Sequence, residues 1–163
     1  MDLSVRNYRH LAAERFFVLL WFCLLQMANA ALCPEKCNCD AQALIFDCTN
    51  SDLEGIPVWL HPEMKVLKAR NSKISKLEDN VNIYEHLEIL DLSGNKFRHL
   101  GQKRFSDCLK LQQLNLSNNF VSSLHQATFQ GPEAMQELDL SRNTLTALTN
   151  LTFSPLQTLV DLR

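Results

Sequence analysis

Residues 87–105 read LEILDLSGNKFRHLGQKRF, a stretch in which leucine and phenylalanine side chains hold fixed places around one asparagine, Asn95. The asparagine and the closing phenylalanine, Phe105, both return at steps of 24 residues, as Asn119 and Asn143 and as Phe129 and Phe153. Repetition at a fixed period indicates that one structural unit is stacked many times, and not that the chain folds around a single globular core. The sequence therefore predicts a solenoid, an architecture that typically serves in binding.

Each repeated unit contains the signature of one short strand. The units begin at Met64, Leu87, Leu111 and Met135, and an incomplete fifth begins at Leu159. Segments such as Leu90–Leu92 alternate apolar and polar residues with the period of two that a strand requires. Stacked strands of this kind predict a parallel sheet. We expect the recurring asparagines at the bend after each strand, where an amide can satisfy backbone groups that lack partners.

The first thirty residues differ from the rest of the chain. Arginines lead into the apolar run Phe16–Leu25, and the small-residue sequence Ala28–Ala30 follows. These are the parts of a secretory signal peptide, with cleavage expected after Ala30. An uncleaved anchor is the alternative, but a spanning helix needs about twenty apolar residues and this run breaks at Gln26. No later stretch approaches that length, so we expect no membrane segment after signal cleavage.

Four cysteines lie close together after the signal peptide, at Cys33, Cys37, Cys39 and Cys48. Their spacing alone fits either a zinc site or two disulfides, and four cysteines allow three pairings. The secretory destination favours disulfides. A further cysteine, Cys108, falls at a core position and is interpreted as a small apolar side chain; a free thiol for an intermolecular bridge is the alternative.

The repeated pattern LxxLxLxxNxLxxLxxxxF, preceded by CPEKCNCDAQALIFDC at residues 33–48, resembles extracellular leucine-rich-repeat proteins with a cysteine-rich N-terminal cap. The resemblance covers residues 33–163. It implies an α/β, horseshoe-shaped solenoid with short parallel strands on its concave face, and it implies the pairing of Cys33 with Cys39 and of Cys37 with Cys48. The expected domains are a signal peptide (1–30), a cap (31–62) and repeats (63–163).

The family's C-terminal cysteine cap does not follow the repeats, and the sequence stops inside the fifth unit. These two features lead us to expect a fragment or a truncated gene product. Within the cap, the apolar segment Leu44–Phe46 is expected to add an edge strand to the sheet.

The resemblance also implies that a ligand binds the concave face, on the outward positions of the strands. The candidate residues are Lys65, Lys68, Arg70, Glu88, Asp91, Gln113, Asn115, Glu137 and Asp139. We expect the pairs Lys65–Glu88 and Lys68–Asp91 on neighbouring strands. The alternative is that these are exposed pairs that serve only solubility.

Two sequences fit the acceptor motif for N-glycosylation, and they begin at Asn115 and Asn150. Asn150 falls on the returning segment, where a glycan would be harmless. A glycan on Asn115 would obstruct the concave face. An unmodified polar strand residue is the alternative interpretation of Asn115.

The function expected is a secreted or cell-surface protein-binding module of the receptor, adhesion or signalling type. The alternative is a structural matrix protein of the small leucine-rich proteoglycan type. Enzyme activity is not expected, because the histidines are scattered and no HExxH, GxSxG or phosphate-binding glycine motif occurs. No metal or other cofactor is expected. After cleavage, 13 of the 16 basic and 16 of the 18 acidic side chains remain, a balance that argues against a nucleic-acid partner.

Overall fold

The computed structural model describes residues 33–148 and 150–163, apart from the side chains at positions 79, 80 and 150. The signal peptide expected at residues 1–30 lies outside the described residues and stays a prediction.

Seven short strands form one sheet, in which the spatial order follows the order in the chain. They are β1 (Asn38–Asp40), β2 (Ile45–Asp47), β3 (Val66–Lys68), β4 (Ile89–Asp91), β5 (Gln113–Asn115), β6 (Glu137–Asp139) and β7 (Asp161–Leu162). Strand β1 is antiparallel to β2, and every later pair is parallel. A 3-10 helix (Asp79–Ile83) and a short α-helix, α1 (Asn150–Phe153), lie on segments that return to the sheet. The chain is thus a parallel-strand solenoid of about five turns, which confirms the fold class.

Strands β2 to β6 each bury the side chain at their middle position, and β4 also buries Asp91. The parallel register aligns Leu67, Leu90 and Leu114 across β3, β4 and β5, and these leucines are at most 1% exposed. Strands β2 and β6 continue the column with Phe46 and Leu138. Because neighbouring side chains of a strand point to opposite faces, the residues flanking each buried leucine face outward.

The asparagines form a ladder along the turns that follow the strands. The amide nitrogen of Asn119 donates to the carbonyls of Leu92 (3.1 Å) and Leu116 (3.0 Å), while its oxygen accepts the N–H of Phe97 (3.2 Å). Asn95 and Asn143 repeat the arrangement in the units before and after. Each asparagine therefore satisfies backbone groups of its own repeat and of the preceding one.

One residue before each asparagine rung, and before the equivalent Ser72, the backbone enters the left-handed region. The positive φ angles fall at Asn71 (49°), Gly94 (68°), Asn118 (54°) and Arg142 (53°). Glycine and asparagine adopt this conformation at low cost. At Gly94 an added Cβ would lie 2.2 Å from the Asn71 side-chain oxygen, so the Asn71 amide would have to move.

The recurring phenylalanines stack on the far side of the core. The ring centroids of Phe105 and Phe129 lie 6.3 Å apart, and those of Phe129 and Phe153 lie 5.9 Å apart. Cys108 packs beside this column, fully buried and with a free thiol. Burial raises the pKa of the Cys108 thiol to about 12, so the side chain behaves as an apolar core residue.

The cap closes the N-terminal end of the stack. Cys37 is bonded to Cys48, and Cys33 and Cys39 are also disulfide-bonded. This confirms disulfides rather than zinc. The expected edge strand at Leu44–Phe46 is shifted and is not at the edge, since β2 covers Ile45–Asp47 and β1 lies outside it.

Candidate ligand-binding face

The outward positions of strands β3 to β6 and of their flanking residues form the surface that we call the concave face. Its members are Lys65, Val66, Lys68, Arg70, Glu88, Ile89, Asp91, Gln113, Asn115, Glu137 and Asp139. The register sorts the strand residues into two rows, one through Val66, Ile89, Gln113 and Glu137 and one through Lys68, Asp91, Asn115 and Asp139. The fold therefore brings every candidate ligand residue onto one surface.

The charges on this face are partly paired across neighbouring strands. Lys65 Nζ lies 3.1 Å from Glu88 Oε1, as expected from the sequence. Both side chains remain well exposed, at 50% and 35%, so this pair adds little to stability. It sits beside the half-buried Val66 and Ile89, which are register partners.

Lys68 and Asp91 are register partners on β3 and β4, as expected from the sequence, but they do not form an ion pair. Asp91 pairs instead with Arg70, whose Nε lies 2.8 Å from Asp91 Oδ2. Asp91 is buried, at 6% exposure. The carboxylate of Asp91 is held close to its own turn, because the Ser93 N–H (3.0 Å) and hydroxyl (2.7 Å) both donate to Oδ1.

The same turn closure recurs in the row of Asp91. Asn115 Oδ1 accepts from the N–H and hydroxyl of Ser117, and Asp139 Oδ1 accepts from the N–H of Ser141. Aspartate and asparagine commonly bind the backbone two residues on in this way. These residues, predicted from the sequence as ligand contacts, therefore also have a structural role in closing the turns. The repeated spacing D/N-x-S is the signal that could have revealed it.

Strand β2 of the cap ends in one more residue, Asp47, whose side chain closes the following turn. Asp47 Oδ1 accepts from the N–H (3.0 Å) and hydroxyl (2.6 Å) of Thr49. The Thr49 hydroxyl, together with the positive charges of Lys68 and Arg70, holds the pKa of the Asp47 carboxyl below its usual value. An ionised carboxylate therefore lies next to the basic residues at the capped end of the concave face.

Asn115 is less free for modification than its sequence motif indicates. Its oxygen is held by Ser117 at 2.9 Å and 2.7 Å, and its nitrogen lies 3.4 Å from Asp91 Oδ2. The nitrogen that would carry a glycan thus faces the neighbouring strand. The other acceptor residue, Asn150, begins α1, and its side chain lies outside the described part of the structure.

The space above the strands is a groove of about 250 Å³, bordered by β3 to β7. This is below the usual range for small-molecule sites, roughly 300 to 1,000 Å³. Among the described residues, no group of histidine, cysteine and acidic side chains is arranged to hold a metal ion. No helix in residues 33–148 or 150–163 has the length and apolar character needed to cross a bilayer. The face offers an extended polar surface instead of an enclosed pocket.

Known structures share this architecture. The chain resembles TLR13 in a TLR13–ssRNA13 complex, with a TM-score of 0.70 and 22% identity, over 76% of this chain and 18% of that one. It also resembles human 5T4, also called Wnt-activated inhibitory factor 1 or trophoblast glycoprotein, with a TM-score of 0.69 and 23% identity. That match covers 80% of this chain and 52% of 5T4. At these identities the two likenesses establish the fold.

A curated protein matches over a shorter stretch. The peroxidasin homolog pxn-1 of Caenorhabditis elegans is 39% identical over 46 residues, which are 28% of this chain and 4% of pxn-1. The chain therefore spans a small part of this relative.

The family comparison covers the whole repeated region. The leucine rich repeat model matches residues 62–119 and 110–163, which together exceed half of the chain. With the parallel solenoid, the asparagine ladder and the disulfide-bonded cap already described, this match establishes that the chain belongs to the leucine-rich repeat family.

Proposed function

We propose that this chain is an extracellular binding module that recognises a protein ligand through its concave face, as part of a receptor, adhesion or signalling ectodomain. The leucine-rich repeat fold and the likeness to TLR13 and 5T4 support a protein-interaction module. The disulfides support an extracellular or cell-surface location. A non-enzymatic role is consistent with the family and with its structural neighbours.

The observation that carries the proposal is the distribution of charge on the concave face. Its capped end carries Lys65, Lys68 and Arg70, of which Lys65 is paired with Glu88 and Arg70 with Asp91, whereas strand β6 presents Glu137 and Asp139. Glu137 is exposed, and Gln113 Nε2 lies 3.3 Å from its Oε1. A partner with acidic groups near the cap and basic groups near β6 would complement this polarity, and such complementarity gives an interface its orientation and specificity.

The apolar pair Val66 and Ile89 supplies the second element that an interface needs. Both are half-buried, and they are register partners on β3 and β4. They lie among the charged residues of β3 and β4. Protein interfaces commonly combine a small desolvated centre with a polar rim, so this pair is our candidate for the centre of contact.

The test uses a chain that begins at residue 31, secreted from eukaryotic cells, and a panel of purified extracellular domains immobilised on a sensor surface. The concave variant combines Glu137→Lys with Asp139→Asn, because asparagine preserves the acceptor for Ser141. The matched control combines Glu133→Lys with Asp107→Asn, which changes exposed acids outside the face. We expect any ligand bound by the native chain to lose about tenfold in affinity in the concave variant only. A ligand that binds both variants equally well would refute the proposal.

Modification of Asn115 bears directly on this proposal. A glycan there would cover the row of Asp91 and Asp139 and remove the amide from its contact with Asp91. We therefore propose that Asn115 is unmodified in the binding-competent protein. Mass spectrometry of the secreted chain, before and after enzymatic deglycosylation, measures occupancy at Asn115. Full occupancy in a preparation that still binds would exclude the concave face.

A further inference from the structure

A second surface with concentrated positive charge lies on one flank of the solenoid, immediately after the turns that follow β3 and β4. We call it the basic flank. It comprises Ser75 and Lys76 of the first repeat, Lys96, Arg98 and His99 of the second, and Phe120 of the third, all exposed. The chain from residue 33 onward carries more acidic than basic side chains. The basic flank therefore opposes the overall balance of charge.

The repeat register holds these residues in columns. Backbone N–H groups bond from one repeat to the preceding one, from Lys96 to Ile74 (2.8 Å) and from Phe120 to Phe97 (2.9 Å). Bonds of this kind set the spacing between neighbouring chain segments at about 5 Å. The backbone positions of Lys96 and Phe120 are thereby fixed relative to each other by the solenoid.

The lysine and arginine side chains of this flank form no ion pairs with the described acidic side chains. Lys73, which precedes the flank, pairs with Asp52 at 2.9 Å and is excluded for that reason. Across residues 33–148 and 150–163, no ion pair with a described side chain involves Lys76, Lys96 or Arg98. One acidic residue, Glu78, lines the neighbouring depression.

The three cations and His99 surround a common depression that is open to solvent. Lys76, Lys96, Arg98 and His99 line it together with the ring of Phe120, which is 53% exposed. Like charges gathered on one surface raise the local concentration of anions and attract a polyanion. An exposed aromatic ring among them adds an apolar contact that a simple counter-ion would not use.

We propose that the basic flank binds a sulfated glycosaminoglycan, at a site separate from the concave face. Sulfate and carboxylate groups of the polysaccharide would contact the lysine and arginine side chains, and a sugar ring would pack on Phe120. Single-stranded RNA is the other polyanion to consider. Its binding sites usually offer successive aromatic side chains for successive bases, but the position one repeat after Phe120 is Thr144. The choice of a polysaccharide also rests on the extracellular location proposed above.

The first experiment measures binding of the secreted chain to immobilised heparin over a range of salt concentrations. The flank variant combines Lys96→Gln with Arg98→Gln. The matched control, Lys103→Gln with Lys110→Gln, removes the same charge from exposed positions outside the flank. We expect the flank variant to lose about tenfold in affinity and to depend less steeply on salt, because fewer counterions are exchanged. The control should change by less than about twofold.

A second variant separates the aromatic contact from charge. Phe120→Thr introduces the residue found one repeat later and leaves every cation in place. We expect about threefold weaker heparin binding with an unchanged salt dependence, because an apolar contact is lost and no charge is removed. Both flank variants should keep the thermal midpoint of the native chain, since the substituted side chains are exposed.

Three results would overturn this inference. Equal loss in the flank variant and its control would show that net charge alone is responsible. If desulfated heparin bound as tightly as heparin, sulfate groups would not be the groups that the flank recognises. Tighter binding of single-stranded polyuridylate than of heparin, lost in the same flank variant, would assign the surface to RNA. The concave variant Glu137→Lys with Asp139→Asn should bind heparin like the native chain, so failure of this inference is distinct from failure of the proposed function.

Discussion

Replacing Asn119 by alanine tests the ladder on which the stacking of the repeats depends. Asn119 is 4% exposed, and its side chain makes four hydrogen bonds to the backbone, to Phe97, Leu92, Leu116 and Ser117. The cost of the substitution is not four equal losses. It depends on which backbone groups keep another partner after the amide is removed.

The three carbonyls each keep a donor. The carbonyl of Leu92 retains the Asn95 amide, that of Leu116 retains the Asn143 amide, and that of Ser117 retains the N–H of Gly94. The N–H of Phe97 has the Asn119 oxygen as its acceptor and is left buried without one. An orphaned buried donor costs about 1 to 3 kcal/mol, and the weakened carbonyl bonds add about 1 kcal/mol more. We therefore expect Asn119→Ala to destabilise the chain by about 2 to 4 kcal/mol.

Urea denaturation measures this loss, and amide hydrogen exchange locates it. Protection of the Phe97 N–H should fall more than that of the equivalent N–H of Val121, which Asn143 still accepts. The matched control is Asn118→Gly, because Asn118 is exposed and already has a left-handed φ of 54°, where glycine fits without strain. It should change stability by less than about 1 kcal/mol. Equal destabilisation by the two substitutions, or unchanged exchange at Phe97, would refute the reasoning.

Three further predictions concern the core and the concave row. Phe129→Ala should cost about 3 to 5 kcal/mol, because it removes the middle ring of the aromatic column and leaves a cavity; an unchanged thermal midpoint would contradict the stacking. In urea denaturation, Asp91→Ala should cost about 2 to 3 kcal/mol, because Asp91 is buried and ion-paired. Asp139→Ala should cost about 1 kcal/mol, because Asp139 accepts a hydrogen bond from Ser141. Equal costs for the two variants would contradict the burial of Asp91. Cys108 should resist alkylation at pH 8 until the chain unfolds. Burial raises the pKa of the Cys108 thiol to about 12, against about 8.5 for an exposed thiol. The stability that the buried neutral thiol contributes is therefore present below pH 8.5 and is lost as the pH rises towards 12. Cys108→Ala should remove this pH dependence of the free energy of unfolding.

The sequence was sufficient to predict the stacking because the signals that determine it are periodic. Leu90 and Leu114 recur at the step that places each on a strand, and Asn95 and Asn119 recur at the step that places each on a turn. Each unit also cannot bury its apolar side alone, so repetition predicts neighbours in contact. The parallel register across β3 to β6 follows from these constraints.

The burial of Asp91 could not be read from the same pattern. Alternation places residue 91 on the outward side of β4, but it does not show which neighbour covers it. Two cations, Lys68 and Arg70, lie on the preceding unit, and the structure pairs the carboxylate with Arg70 although Lys68 is its register partner. The basic flank was missed for a different reason. Lys96 and Arg98 are close in sequence, but Lys76 and Phe120 belong to other repeats and join them only when the columns of successive repeats are aligned.

The two rows of the concave face differ in whether their side chains also close turns, and this difference limits which row can vary between ligands. In the row of Asp91, Asn115 and Asp139, one side-chain oxygen of each residue closes the turn after its strand. Changes in that row therefore affect folding as well as any contact with a ligand. The neighbouring row, from Val66 and Ile89 to Glu137, closes no turn through its side chains. Its substitutions can alter a contact without disturbing the stack, so we expect ligand specificity to depend chiefly on this row, with the turn-closing row supplying a fixed polar background.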